Sequence, residues 1–145
     1  MKRFLIYLLL ALLWTTKSTA QTAQEPWNTN QLMAPQALAD SINKGLSANL
    51  LILSVGPAAL IKGSVDIGPA HDPAIIAKLK VYLKNLNRDK EIVIYCGCCP
   101  FDHCPNIRPA FRVLQELGFT NAKLLNLSHN VKVDWLNHNY PVNSQ

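Results

Sequence analysis

The chain has no cysteine before residue 96 and none after residue 104. It has no Walker loop, no Gly-rich dinucleotide fingerprint and no Ser-centred elbow, which removes the common phosphate cradles and the serine-hydrolase nucleophile from consideration. No basic stripe is interleaved with aromatics, so a nucleic-acid partner is not implied. There is no internal repeat, which excludes a solenoid. No apolar run reaches the roughly 20 residues a membrane-spanning helix needs; the longest, Phe4 to Trp14, is about 11 residues. What is there is concentrated: four cysteines, Cys96, Cys98, Cys99 and Cys104, lie within nine residues.

The amino terminus sets the compartment in which those thiols are expected to act. Residues 1–20 begin Met1-Lys2-Arg3, continue through the apolar stretch and end in small residues with Ser18 and Ala20. That order is the pattern of a cleaved export signal. The mature protein is therefore expected to be periplasmic or secreted, without stable membrane anchoring, in an oxidising space where disulfides persist. The signal carries Lys2, Arg3 and Lys17, so its removal leaves 11 of the 14 basic residues against 9 acidic ones, and a net charge of +5 falls to +2. Residues 21–30 read as a flexible lead-in. Residues 31–145 have the size of one domain, large enough for a core without disulfide staples.

Strand and helix patterns alternate along that domain. Ala37, Leu38 and Ile42 mark a helix over 35–43, ending before Gly45. Leu50 to Val55 is a continuous apolar run suited to a buried strand. A short strand is expected near Ser64–Ile67. Asp72-Pro73 is an N-cap followed by a first-turn proline, and Ile75, Ile76, Leu79, Leu83 and Leu86 give the apolar face of the helix that follows. Glu91 to Tyr95 is the next strand. Ile107, Ala110, Phe111, Leu114 and Leu117 repeat at helical spacing, with Gly118 as the stop. Lys123 to Leu127 reads as a strand and Val131 to Asn137 as a last short helix. Such alternation implies an α/β fold, a mainly parallel central sheet with helices on both faces. Trp135 and Tyr140 read as packing residues.

Several of these segments resemble the rhodanese (sulfurtransferase) family. Ile92-Val93-Ile94-Tyr95-Cys96 is similar to its strand ending in the reactive cysteine. Ala110 to Phe119, Asn121 to Leu127, and Trp135 through Tyr140-Pro141-Val142 resemble its following helix, next strand and ending. The resemblance implies a rhodanese-like three-layer sandwich and an exported sulfurtransferase. The loop departs from the family pattern. Cys96 and Arg108 are twelve positions apart, further than in the family, and an alignment through Gly118 puts Asn106 where the arginine is expected. The family's Asp-x-Arg is Ser54-Val55-Gly56 here, its Gly-His is Gly63-Ser64, and its Gly-Gly falls near Ser128-His129-Asn130.

Sulfur transfer needs a thiolate that attacks the outer sulfur of a donor such as thiosulfate, then yields that sulfur to a thiol or cyanide-like acceptor. By resemblance Cys96 is the nucleophile, expected to be exposed and stabilised by backbone dipoles where strand meets helix. Loop N–H groups around Gly97, with Arg108 and His103 as cations, would bind the donor's oxyanion. No cofactor is then required. A second reading is thiol–disulfide exchange through Cys96 and Cys99. Cys98 or Cys99 paired with Cys104 would give a stapled loop, and one or two disulfides without chemistry is the plainest outcome. A third reading makes Cys96, Cys98, Cys99 and Cys104 a soft-metal site for zinc or Cu(I).

Pro100, Pro105 and Pro109 restrict the residues before them. Cys99, Cys104 and Arg108 are therefore expected to be extended, with the helix starting at Pro109 and Arg108 in its N-cap region. Asn106 is left as a turn residue or the cap of a slightly earlier start. His71-Asp72 looks like a diad, but capping accounts for Asp72. His129 is a candidate for the rim of the site.

Overall fold

A computed structural model describes residues 25–144. Residues 1–20, read above as an export signal, and residues 21–24 lie outside them. Five parallel strands, β1 (Leu32–Met33), β2 (Leu50–Ser54), β3 (Ser64–Asp66), β4 (Glu91–Tyr95) and β5 (Ala122–Leu125), form one sheet in the order β1-β5-β4-β2-β3. The helices are α1 (Pro35–Asn43), α2 (Pro73–Leu83), α3 (Ile107–Glu116) and α4 (Val131–Asp134). The α/β class and the parallel sheet are as the sequence implies. No helix among the described residues is long and apolar enough to cross a membrane.

Strand β4 is central, and its alternation divides the core. Ile92 and Ile94 join Leu53, Leu79, Leu83, Phe111 and Leu114 on the α2/α3 face. Val93 and Tyr95 join Ile52, Leu38, Ile42, Val131 and Trp135 on the α1/α4 face. A strand covered on both faces has no polar side, which is why β2 and β4 read as unbroken apolar runs. The Tyr95 hydroxyl still finds partners: it accepts from the Ile61 amide at 3.2 Å and lies 3.0 Å from Ser64 Oγ. Trp135 is fully buried, donates from Nε1 to the Pro141 carbonyl at 2.9 Å and meets the Tyr140 ring edge-on at 5.1 Å.

Four local expectations change. Helix α3 starts at Ile107, so Arg108 is helical although it precedes Pro109. Burial of Ile107, Ala110, Phe111 and Leu114 on one stripe outweighs the pre-proline preference. The last helix is two pieces, α4 and a 3₁₀ turn at Leu136–His138, broken at Trp135 where φ is −130° and ψ is −60°. The two-residue strand β1 was not apparent from periodicity. Residues 25–30, expected as a lead-in, carry an Asn28-capped turn, and Trp27 packs against Phe101 and Phe111 with ring centroids 6.1 and 5.8 Å away.

Candidate site: a four-cysteine cluster at the end of the central strand

The loop that holds the cysteines leaves the carboxyl end of β4, the usual place for a functional site in a parallel sheet. Neighbouring elements tie it down. The Val131 amide at the start of α4 donates to the Gly97 carbonyl at 3.0 Å, and the Phe101 amide donates to the Leu127 carbonyl at 3.0 Å. A 3₁₀ turn, Phe101–His103, follows, and Cys104 is extended (φ −76°, ψ 123°), as its proline neighbour requires. The chain thus doubles back and returns Cys104 to Cys96.

All four cysteines are free thiols, and their sulfurs lie within 4.8 Å of one another. Cys96 Sγ is 3.2 Å from Cys98 Sγ, which is 3.3 Å from Cys99 Sγ. These are contacts, well beyond the roughly 2.05 Å of a disulfide bond. Cys104 is fully buried, Cys99 half-buried and Cys98 exposed. Cys96 is 1 % exposed, which overturns the expectation of an open nucleophile. Gly56 closes over it: a Cβ at that position would sit 2.7 Å from Cys96 Sγ. The sulfur thus occupies the space that any side chain at position 56 would need.

The thiols differ in acidity. A hydrogen bond from Cys104 is the main reason that the Cys96 pKa falls to about 5; burial opposes it, and the Cys98 amide and the Asn106 side chain assist. Cys98 moves the other way, up to about 12, through desolvation and its role as hydrogen-bond donor to Cys96. Cys104 is also pushed up, first by its bond to Cys96 and then by burial. The more acidic thiol is the covered one, and the exposed Cys98 holds its proton more tightly.

The expected oxyanion-binding groups go elsewhere. Arg108 binds the Glu25 carboxylate and the Asp102 carbonyl and lies over the Trp27 ring, 5.6 Å from its centroid. His103 pairs with Asp102 at 2.8 Å, its side chain in solvent. Gly97 serves packing: a Cβ there would meet Val131 Cγ1 at 2.9 Å. The amide facing Cys96 is that of Cys98. His129 is held by Asp134, Nδ1 to Oδ1 at 3.0 Å.

Asn106, expected as a turn or cap residue, instead stands behind Cys96. It is 4 % exposed and occupies the N-cap of α3 without capping it. Its Nδ2 donates to Cys96 Sγ at 3.4 Å, and its Oδ1 accepts from the His71 amide at 2.9 Å with His71 Nδ1 2.8 Å away. An asparagine one residue before an apolar helix reads as a cap; the one sequence hint of another role was its place in the alignment through Gly118, where the resemblance expects an arginine.

No protein-family model matches this chain, and no curated protein matches it.

Proposed function

We propose that the protein is an exported module that holds one soft metal ion, zinc or Cu(I), through Cys96, Cys98, Cys99 and Cys104. The observation that carries this reading is the convergence of four unbridged sulfurs within 4.8 Å. A tetrahedral tetrathiolate with metal–sulfur bonds near 2.3 Å places its sulfurs about 3.8 Å apart. The cluster brackets that spacing, so small side-chain adjustments suffice. Thiolate ligands select soft ions. A bound cation would draw protons from Cys98 and Cys104, and Cys96 offers an anion at the outset. The test is elemental analysis of full-length protein purified without oxygen or chelator from the exported fraction. One equivalent of zinc or copper, lost in Cys96→Ser/Cys104→Ser, is expected. Absence of metal after exposure to excess Zn(II) and Cu(I), with four titratable thiols, would overturn it.

One observation favours a second reading, sulfur transfer on a rhodanese-like scaffold: the lowered pKa of Cys96. Its thiolate would attack the outer sulfur of thiosulfate, the S–S bond would break, and sulfite would leave. A thiol or cyanide would then take the outer sulfur from the resulting persulfide. Burial of that sulfur and the absence of cations among its hydrogen-bond partners weigh against it. Thiocyanate formation from thiosulfate and cyanide, lost in Cys96→Ser, would favour transfer over metal holding. Thiol–disulfide exchange through Cys96 and Cys99 meets the same obstacle, a covered thiolate.

A further inference from the structure

We infer that Asn106, oriented by His71, is a positioning residue for the metal site, fixing Cys96 in place and setting how strongly its sulfur donates to the ion. This rests on the metal reading above and adds the residues that tune the site from behind.

The direction of the Asn106 amide follows from hydrogen-bond chemistry. The His71 backbone N–H is an obligate donor, so the atom 2.9 Å from it must be the amide oxygen. The NH₂ group is then turned toward Cys96 Sγ, 3.4 Å away. That oxygen also faces His71 Nδ1 at 2.8 Å and can only accept, so Nδ1 carries the proton. Two donors from one residue therefore clamp the oxygen of Asn106, which turns its nitrogen to donate to the Cys96 sulfur. The Asn106 backbone amide meanwhile faces the Cys104 sulfur. One residue thus serves both buried corners of the cluster.

The missing helix cap supports a dedicated role. Asparagine is among the best N-cap residues, and capping contributes about 1 kcal/mol. Pro109 at the third helical position has no N–H to offer, and the side chain leaves the remaining Arg108 amide uncapped, buried against Cys96 instead. A broken local rule with a specific polar partner marks functional placement. Hydrogen bonds from outside the ligand set orient metal ligands and tune them, and their loss lowers affinity about 10- to 100-fold.

The experiment uses the full chain loaded with Co(II), whose thiolate charge-transfer absorption reports sulfur donation. Asn106→Asp keeps the shape and the oxygen that His71 binds but removes the donor to sulfur. Asn106→Leu removes both. Both variants should shift the band to lower energy and weaken Co(II) binding about 10- to 100-fold, with unchanged circular dichroism. His71→Ala should shift the band the same way, but less. A wild-type band and affinity in Asn106→Asp would reduce the residue to packing and overturn the inference, as would an unmoved band in Asn106→Leu. A metal-free arm separates this failure from that of the metal reading. Nitrogen NMR of the apo protein should show His71 protonated at Nδ1 and the Asn106 side-chain amide protected from exchange. An Nε2–H tautomer or an unprotected amide overturns the brace even if Co(II) binds. No Co(II) uptake by wild type overturns the metal reading while the NMR result still decides the brace.

Discussion

Gly56 shows how tightly one position constrains the cluster. It has no unusual backbone torsion to defend; its constraint is space, because an added Cβ would stand 2.7 Å from Cys96 Sγ and 3.4 Å from the Cys96 Cα. The obstacle is a sulfur already held by Asn106 and Cys98, so it cannot swing clear without breaking those contacts. Gly56→Ala is therefore expected to destabilise the fold by about 1–3 kcal/mol, the usual cost of overpacking a filled core. Urea denaturation measures this. The same substitution should weaken metal binding by displacing Cys96, whereas Gly63→Ala, which meets no atom within 4 Å but sits at φ +77°, should cost stability through backbone strain and leave metal binding unchanged. No long side chain fits at position 56, where the sulfur sits.

At the scale of elements, α4 and the cysteine loop form one unit, since the first helical amide binds the Gly97 carbonyl. The helix is a single turn and depends on its cap. Asn130 accepts from the Val133 amide at 2.9 Å, and the Asp134 carboxylate accepts from the His129 and Asn130 amides at 2.6 and 3.2 Å. Burial alone would raise the Asp134 pKa, but those amides and the His129 ring outweigh it and hold the carboxyl below its usual range. A depressed folded-state pKa stabilises the fold above the unfolded-state value, near 4, and that contribution is lost as pH falls through the folded value. Stability measured by urea at stepped pH should therefore fall below about pH 4. Asp134→Asn should be less stable at neutral pH and should lose part of that acid slope. An unchanged slope would mean that Asp134 does not anchor the helix.

For the whole molecule, the fold and the proposed metal site are expected to be separable. Both apolar clusters are complete around the sheet, and of the four cysteines only Cys96 and Cys104 are buried within one of them. Chelation should therefore leave the far-ultraviolet circular dichroism intact while lowering the melting temperature. The stabilisation lost is about 2.7 kcal/mol if free metal had stood at a hundred times its dissociation constant. Unfolding on chelation would instead make the ion a structural staple. Metal affinity should also rise with pH, because the Cys98 proton, held up to about 12, must leave on binding. Proton release during titration, read in buffers of different ionisation enthalpy, checks the sign.

The order of strands and helices was legible because burial on both sheet faces writes itself as apolar runs, and burial on one helix face as a 3.6-residue stripe. Leu50–Ser54, Glu91–Tyr95, Pro35–Asn43 and Pro73–Leu83 follow from that rule. The cysteine loop was legible as the candidate site, since no other segment concentrates reactive side chains. Local sequence could not say which sulfur is covered. That depends on Gly56, forty positions earlier, and on the β2–β4 pairing that brings it alongside. Nor could it show that Asn106 turns from its helix toward His71, or that Arg108 is taken by Glu25 and Trp27. The chain itself determined the layers and the presence of a thiol cluster, because both rest on residue type and spacing. Only tertiary structure decided which thiol is made more acidic, which is exposed and what stands behind them, because acidity and access are set by neighbours remote in sequence.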